Sequence, residues 1–452
     1  MNIHFIAIGG AAMHNLALAM HHLGHQVTGS DDEIFEPSKG RLAKFGLLPT
    51  QMGWDEDRIA EDLDAIILGM HAREDNPELK KALQMGVKVY SYPEFIYEQS
   101  KDKTRVVIAG SHGKTTITSM ILHVLKKLNR DFDYLVGAQI EGFETMVRLS
   151  DAPVIILEGD EYLSSPIDRR PKFHLYDPHI ALISGIAWDH INVFPTWDNY
   201  KAQFSKFIDD LNPGSHLVYC SADETLAAMA QAHNTRIHKH PYQTPDNEIA
   251  NGQTTILDEG NHFPISVFGN HNLQNMNGAR LVFEQLGINK ETFYHAIGDF
   301  TGASRRLEEI AGNDHSVVYK DFAHSPSKLK ATVEAVKDQW TNRILVACME
   351  LHTFSSLTKE FLLEYKGAMD RADVAIVFYK EETIEHKKLE PISVEEVKLA
   401  FGREDLIVYT QTDQIQKDLR SRNWSNSNLL LMSSGNFGGM DVDNFGKEIA
   451  SL

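Results

Sequence analysis

The strongest chemical signal in the chain is Gly110-Ser111-His112-Gly113-Lys114-Thr115-Thr116. It stands between an apolar run, RVVIA (105–109), and a helical pattern, ITSMILHVLKKL. Glycines there let backbone N–H groups close around phosphate oxygens at a helix N-terminus. In that setting Lys114 reaches terminal phosphates, and the Thr115 hydroxyl is placed to ligate Mg²⁺. The usual phosphate loop has a glycine five residues before Gly113, where this chain has Ile108, so this is the shorter form G-x-x-G-K-T. GKT alone is common by chance. The strand–loop–helix setting favours a nucleotide site over an ordinary helix cap.

Acidic partners follow. The run VIILEGDE ends a second apolar strand with Glu158, Asp160 and Glu161. A carboxylate at a strand's C-terminal end beside a phosphate loop is a natural Mg²⁺ ligand. Glu158 directly follows four apolar residues and is the better ligand, whereas Asp160 or Glu161 alone reads as a solvated acidic turn. A third strand, IALISGI (180–186), leads to Asp189 and His190. One histidine is usually structural, but at a third strand end of the same domain His190 becomes a candidate metal ligand. The first turn, Gly9-Gly10-Ala11-Ala12, lacks the third glycine of a dinucleotide fingerprint and is weak evidence for a nicotinamide cofactor. Ser30 and Asp31 end the next strand, where they bind a ribose or cap a helix.

The elements that carry these residues alternate strand and helix throughout, the pattern of α/β domains with parallel sheets. The first block runs HFIAI (4–8), a helical AAMHNLALAMHHLG, QVTGS, AIILG (65–69) and VKVYSYP (87–93). A charged stretch, YEQSKDKTR (97–105), separates it from the second. Residues 212–268 weaken into loops and edge strands before a clear helix at 272–287. The third block starts near Thr301, with strands SVVYKD, RILVACME, ADVAIVFY and NLLLMSS. The division is three domains: 1–100 and 301–452 Rossmann-like, 101–300 resembling a P-loop ATPase. The length of 452 residues suits that number.

Composition narrows the function. Lys plus Arg is 44 and Asp plus Glu is 63, a net charge of −19, which argues against duplex nucleic acid as the partner. It does not exclude phosphorylated small molecules, which need only a few amides and cations. The two cysteines, Cys220 and Cys348, lie in apolar runs and read as buried thiols. MNIHFIAIGG reads as a first strand, not a signal peptide. Apolar stretches fall far short of the ~20 residues that span a bilayer. The expectation is a cytoplasmic protein.

Taken in order, HFIAIGG, GSD, DNPE (75–78), GSHGKTT, EGDE, DH, GNHNLQN (269–275), GASRRLE (302–308), DFAHSP (321–326) and SSGNFGG (433–439) resemble the Mur ligases over essentially the full length. These are ATP-dependent amide-bond enzymes of bacterial cell-wall synthesis. The resemblance implies an N-terminal UDP-binding domain in which Gly9, Gly10, Ser30 and Asp31 hold the UDP-sugar. It implies that Gly110 through Thr116 bind the ATP phosphates, with Lys114, Glu158 and His190 catalytic. Thr115, Glu158 and His190 would hold Mg²⁺. His271, Asn272 and Asn275 would lie near adenine and ribose, although Asn at a helix start is more often a cap. Arg306, Asp321 and His324 would approach ATP from the C-terminal domain. The implied partners are UDP-N-acetylmuramate and a peptide or amino acid, for a monomer or homodimer.

The motifs MSSGNFGGM and DRRPKFHLYDP (168–178) are similar to the branch that attaches L-Ala-γ-D-Glu-meso-diaminopimelate in murein recycling. The HFI-x-IGG start is shared with the branch that adds L-alanine. Family glycines are replaced by Ala7, Ala12 and Asn15, which is expected to crowd the UDP loop. An Asn-x-Glu is replaced by Gly185-Ile186-Ala187, and a Pro-His/Arg by Glu350-Leu351-His352. These departures motivate a rival of another class, a non-catalytic UDP-sugar or nucleotide sensor.

Overall fold

The computed structural model describes residues 1–140, 142–188, 193–233, 235–303 and 306–452. They form two compact units, one of Met1–Gln243 with Gln274–Ile297 and one of Thr244–Leu273 with Gly298–Leu452.

The first unit holds two sheets. Four parallel strands lie in the order Gln26–Ser30, Asn2–Ile6, Ala65–Leu68, Val89–Ser91. Seven strands form the second, in the order His238–Tyr242, His216–Cys220, Ile180–Ile183, Thr104–Ala109, Val154–Glu158, Asp133–Leu135, Val147–Arg148. All its pairs are parallel except the last. Its central strands read as unbroken apolar runs because both faces are covered. Glu158 ends one of them and is 7% exposed, so burial delivers this carboxylate into the interior beside the phosphate loop.

The second unit holds a three-stranded antiparallel sheet (Asn247–Ala250, Gln253–Asp258, Asn261–Ile265) and a six-stranded one. The latter runs Glu308–Gly312, Val317–Asp321, Ser427–Met432, Ile344–Glu350, Val374–Phe378, Ile407–Tyr409, with only the first strand antiparallel. Alternate residues feed opposite cores: Leu345, Ala347 and Met349 enter one, Val346 and Cys348 the other. The 244–273 segment belongs with this sheet. Thr254 donates to Gln339 at 2.9 Å, and the Trp340 ring closes on Gly252.

Several local readings change. The first strand ends at Ile6, because Ala7 takes a left-handed conformation (φ +66°). Only Val89–Ser91 of VKVYSYP is strand. Ser91 and Glu94 form a reciprocal capping box that starts the helix Tyr92–Glu98. Within 212–268, Asp223 caps a helix, Glu224–Ala232, by accepting from the Leu226 N–H at 2.9 Å. Cys220 and Cys348 are both buried free thiols, and burial raises the pKa of each. Among the described residues no helix is long and apolar enough to cross a membrane.

Candidate active site

The strand Thr104–Ala109 ends in the loop 110–113, and the helix Lys114–Lys127 follows at once. Gly113 occupies the helix N-cap with φ +80°, and a Cβ there would collide with the Asn275 side-chain amide. Glycine therefore serves two purposes: a left-handed cap, and room for a neighbour on the helix Asn270–Gln285. Ser184 donates to the His112 carbonyl and shapes the loop from the strand beside it.

Lys114 donates to Gly110 O and to Glu161 Oε2, both at 2.6 Å. The Thr115 hydroxyl donates to Glu158 Oε1 at 2.8 Å, and the Gly137 N–H donates to the other oxygen at 3.0 Å. Desolvation raises the Glu158 pKa, against the pull of the Gly137 N–H, the Thr115 hydroxyl and Lys114. A buried carboxylate touching a hydroxyl is a hard-oxygen donor pair that fits Mg²⁺. Thr115 and Glu158 are thus together as the sequence implies, whereas His190, with Asp189, lies outside the described residues.

Glu161 is not part of a solvated turn, whereas the Asp160 side chain stays partly exposed. Glu161 is 1% exposed and is the ion-pair partner of Lys114. Asp160 pairs with Lys172 at 2.6 Å. Desolvation would raise the Asp160 pKa, but Lys172, the Tyr162 N–H and Lys114 together outweigh it and the net shift is downward. Tyr200, on the helix Trp197–Asp209, donates to Glu161 at 2.9 Å. No sequence motif announced it. Glu161 was visible in the sequence only as part of the acidic run EGDE that follows the strand.

In the four-stranded sheet, Gly9 and Gly10 lie between the strand Asn2–Ile6 and the helix Ala11–His22. The Gly9 N–H donates to Asp31 at 2.7 Å, and a Cβ on Gly9 would meet Ile34 at 2.8 Å. Ser30 donates its hydroxyl to the buried Glu78, which also accepts from the Asp55 N–H at 2.9 Å. Asn15 does not fill the loop. It donates to Ala11 O at 2.8 Å and accepts from the Met146 N–H at 2.9 Å, tying the first helix to the loop after Asp133–Leu135.

Desolvation raises the Asp31 pKa to about 6, opposed by the Gly9 N–H. A folded pKa above the unfolded value means that this group's contribution to stability is full below about 4 and is lost as pH rises through about 6. Asp31→Asn is therefore expected to raise Tm at pH ~8 and to change it little at pH ~4. Thermal melts at both pH values check this, and an equal shift at both would contradict it.

The second unit holds the remaining implied residues apart from Asn275, which lies in the first. Asp321 accepts from the N–H groups of Leu307 and Ala323, both at 2.5 Å, and burial raises its pKa. The Arg306 guanidinium lies 5.2 Å from the Phe322 ring centroid, and His324 Nδ1 is 2.8 Å from Phe322 O. Arg306, Asp321 and His324 are thus one cluster at the end of the strand Val317–Asp321; Arg305 lies outside the described residues. Asn272 is spent locally, donating to Phe268 O at 3.0 Å. Loss of water around His271 lowers its pKa to about 4, which leaves it neutral at pH 7. Asn275 meets Gly113 of the phosphate loop.

Two family profiles match the chain: "Mur ligase family, catalytic domain" over residues 2–104 and "Mur ligase middle domain" over residues 108–283. The UDP-N-acetylmuramate–L-alanine ligase of Caldicellulosiruptor bescii is 32% identical over 389 residues, 82% of each chain. The UDP-N-acetylmuramate–L-alanyl-gamma-D-glutamyl-meso-2,6-diaminoheptandioate ligase of Haemophilus influenzae is 27% identical over 97% of each. The solved murein peptide ligase of Psychrobacter arcticus has the same fold, with a TM-score of 0.62 and 22% identity over 100% of this chain and 99% of that one. With these relatives and this phosphate loop, the chain belongs to the Mur ligase family of ATP-dependent ligases that form amide bonds.

Proposed function

We propose that the chain joins L-Ala-γ-D-Glu-meso-diaminopimelate to the lactyl carboxylate of UDP-N-acetylmuramate at the expense of ATP. The observation that carries the choice of amine is the C-terminal loop, whose motif MSSGNFGGM is similar to the tripeptide branch. In the structure this loop encloses Glu350: Ser433 donates its hydroxyl to it, and the Phe437 N–H donates at 2.8 Å. His352 Nδ1 lies 3.7 Å from the same carboxylate at the end of the strand Ile344–Glu350. The 32% identity to an L-alanine ligase favours a second reading, with L-alanine as the amine.

The chemistry follows from charge. A carboxylate is a poor acyl electrophile, and transfer of the γ-phosphoryl group to it gives an acyl phosphate and ADP. The peptide amine then attacks the acyl carbon, phosphate leaves and the amine loses its proton. In this reading the loop 110–116 holds the triphosphate, and the Lys114 ammonium stabilises the phosphoryl oxygens as charge moves onto the leaving ADP. Thr115 and Glu158 hold Mg²⁺, which supplies further charge neutralisation. Gly9, Gly10, Ser30 and Asp31 serve the UDP-sugar, so the N-terminal block (1–100), the central block (101–300) and the C-terminal block (301–452) serve sugar, nucleotide and amine in turn. Positioning should supply most of the rate.

The test is phosphate release from ATP with MgCl₂ and UDP-N-acetylmuramate against a panel of amines. Release with the tripeptide but not with L-alanine is expected. The reverse result selects the second reading. Nucleotide binding without release for any amine identifies a sensor.

A further inference from the structure

A buried polar chain runs from one end of the phosphate loop to Lys114. The Ala187 N–H donates to Ser111 Oγ at 2.8 Å, and Ser111 Oγ lies 2.8 Å from the Tyr200 hydroxyl. That hydroxyl donates to Glu161 Oε1 at 2.9 Å, and Glu161 Oε2 accepts from Lys114 at 2.6 Å. Ser111, Tyr200 and Glu161 are 8%, 0% and 1% exposed. The two ends fix the direction of every bond between them. An amide N–H can only donate and a carboxylate can only accept, so Ser111 donates to Tyr200 and Tyr200 to Glu161. A one-way chain of this kind polarises each bond in the same sense and stiffens it.

The consequence falls on Lys114. Its side chain has three N–H donors on a flexible stem. Glu161 Oε2 and Gly110 O take two of them, both at 2.6 Å. Two short anchors on a tetrahedral nitrogen define the direction of the third N–H.

We propose that Tyr200 and Glu161 are positioning residues that aim the third N–H of Lys114 at the phosphoryl group in transfer. This rests on the reading of the loop as the ATP site. Neither residue needs to touch the nucleotide: Tyr200 fixes the rotamer of Glu161, and Glu161 fixes the ammonium. Tyr200 is held from the other side by aromatic neighbours, with the Phe204 ring centroid at 5.3 Å and that of Phe194 at 5.4 Å. Phenylalanine at this position keeps those contacts and removes the hydroxyl that links Ser111 to Glu161.

The experiment is a double-mutant cycle of Tyr200→Phe and Glu161→Gln. It reads kcat and KM for ATP by phosphate release with UDP-N-acetylmuramate and the amine that wild type accepts. Binding of a fluorescent ATP analogue with MgCl₂, and Tm, are measured alongside. Tyr200→Phe is expected to lower kcat about tenfold with KM for ATP changed less than about twofold. Glu161→Gln is expected to lower kcat at least as much. The double variant should be no slower than Glu161→Gln alone, because both act through Lys114. An unchanged kcat in Tyr200→Phe, losses that multiply in the double variant, or a loss confined to KM or Tm would overturn the proposal. If wild type fails to bind the analogue, the reading of the ATP site fails instead, and the cycle is separable from that result.

Discussion

Lys114→Ala abolishes ATP-dependent phosphate release, with an expected loss of about a thousandfold or more. The side chain is the cation that the phosphate loop holds against Gly110 O and Glu161, each at 2.6 Å. Phosphoryl transfer moves negative charge onto the leaving ADP, so a preorganised donor at that point contributes more in the transition state than in the ground state. The fold should survive. Glu161 loses its ion-pair partner but keeps the Tyr200 hydroxyl at 2.9 Å, and the helix cap at Gly113 is untouched. Phosphate release and circular dichroism on the same sample check both halves. Substantial release from a folded Lys114→Ala variant would remove the loop from the chemistry.

Glu158→Gln gives the opposite pairing of effects: activity falls by about two to three orders of magnitude, while stability without metal holds or rises. The loss of activity follows from removing the anionic oxygen beside Thr115. The stability follows from packing. An ionised carboxylate at 7% exposure carries a desolvation cost that a neutral amide of the same shape avoids. Its hydrogen bonds also survive, since the amide oxygen accepts from the Gly137 N–H and the amide NH₂ donates to the Thr115 hydroxyl, which can reverse its role. Melts in EDTA, beside phosphate release across a MgCl₂ series, test the pairing. A variant that keeps full turnover, or that melts well below wild type in EDTA, contradicts it.

Buried strands were the most legible part of the sequence. Val154–Glu158, read from VIILE, agrees residue for residue, because a strand covered on both faces must be apolar throughout. Helix starts set by polar side chains were less visible. Ser91 with Glu94 ended a strand reading early, and Asp223 began a helix in a stretch that read as loop. At the site, Lys114 and Thr115 were legible from the loop motif, and Glu158, 43 residues from Thr115, from its place at the end of a separate apolar strand. Tyr200 was not, since its place beside Glu161 depends on how the helix Trp197–Asp209 packs, 39 residues away in sequence. The family departure at Asn15 was legible as a position but not as a role. Crowding of the loop was expected, and a tie to Met146 is what the structure provides.

The two buried thiols make this chain convenient to handle chemically. A cysteine attacks maleimides and disulfides as the thiolate, and both Cys220 and Cys348 have pKa values raised by burial. Neither needs to be removed before a dye or spin label is attached elsewhere. One cysteine introduced on the surface of each unit would carry the label against a silent background. Motion on adding MgATP and UDP-N-acetylmuramate could then be followed by energy transfer in a chain whose two native thiols remain in place.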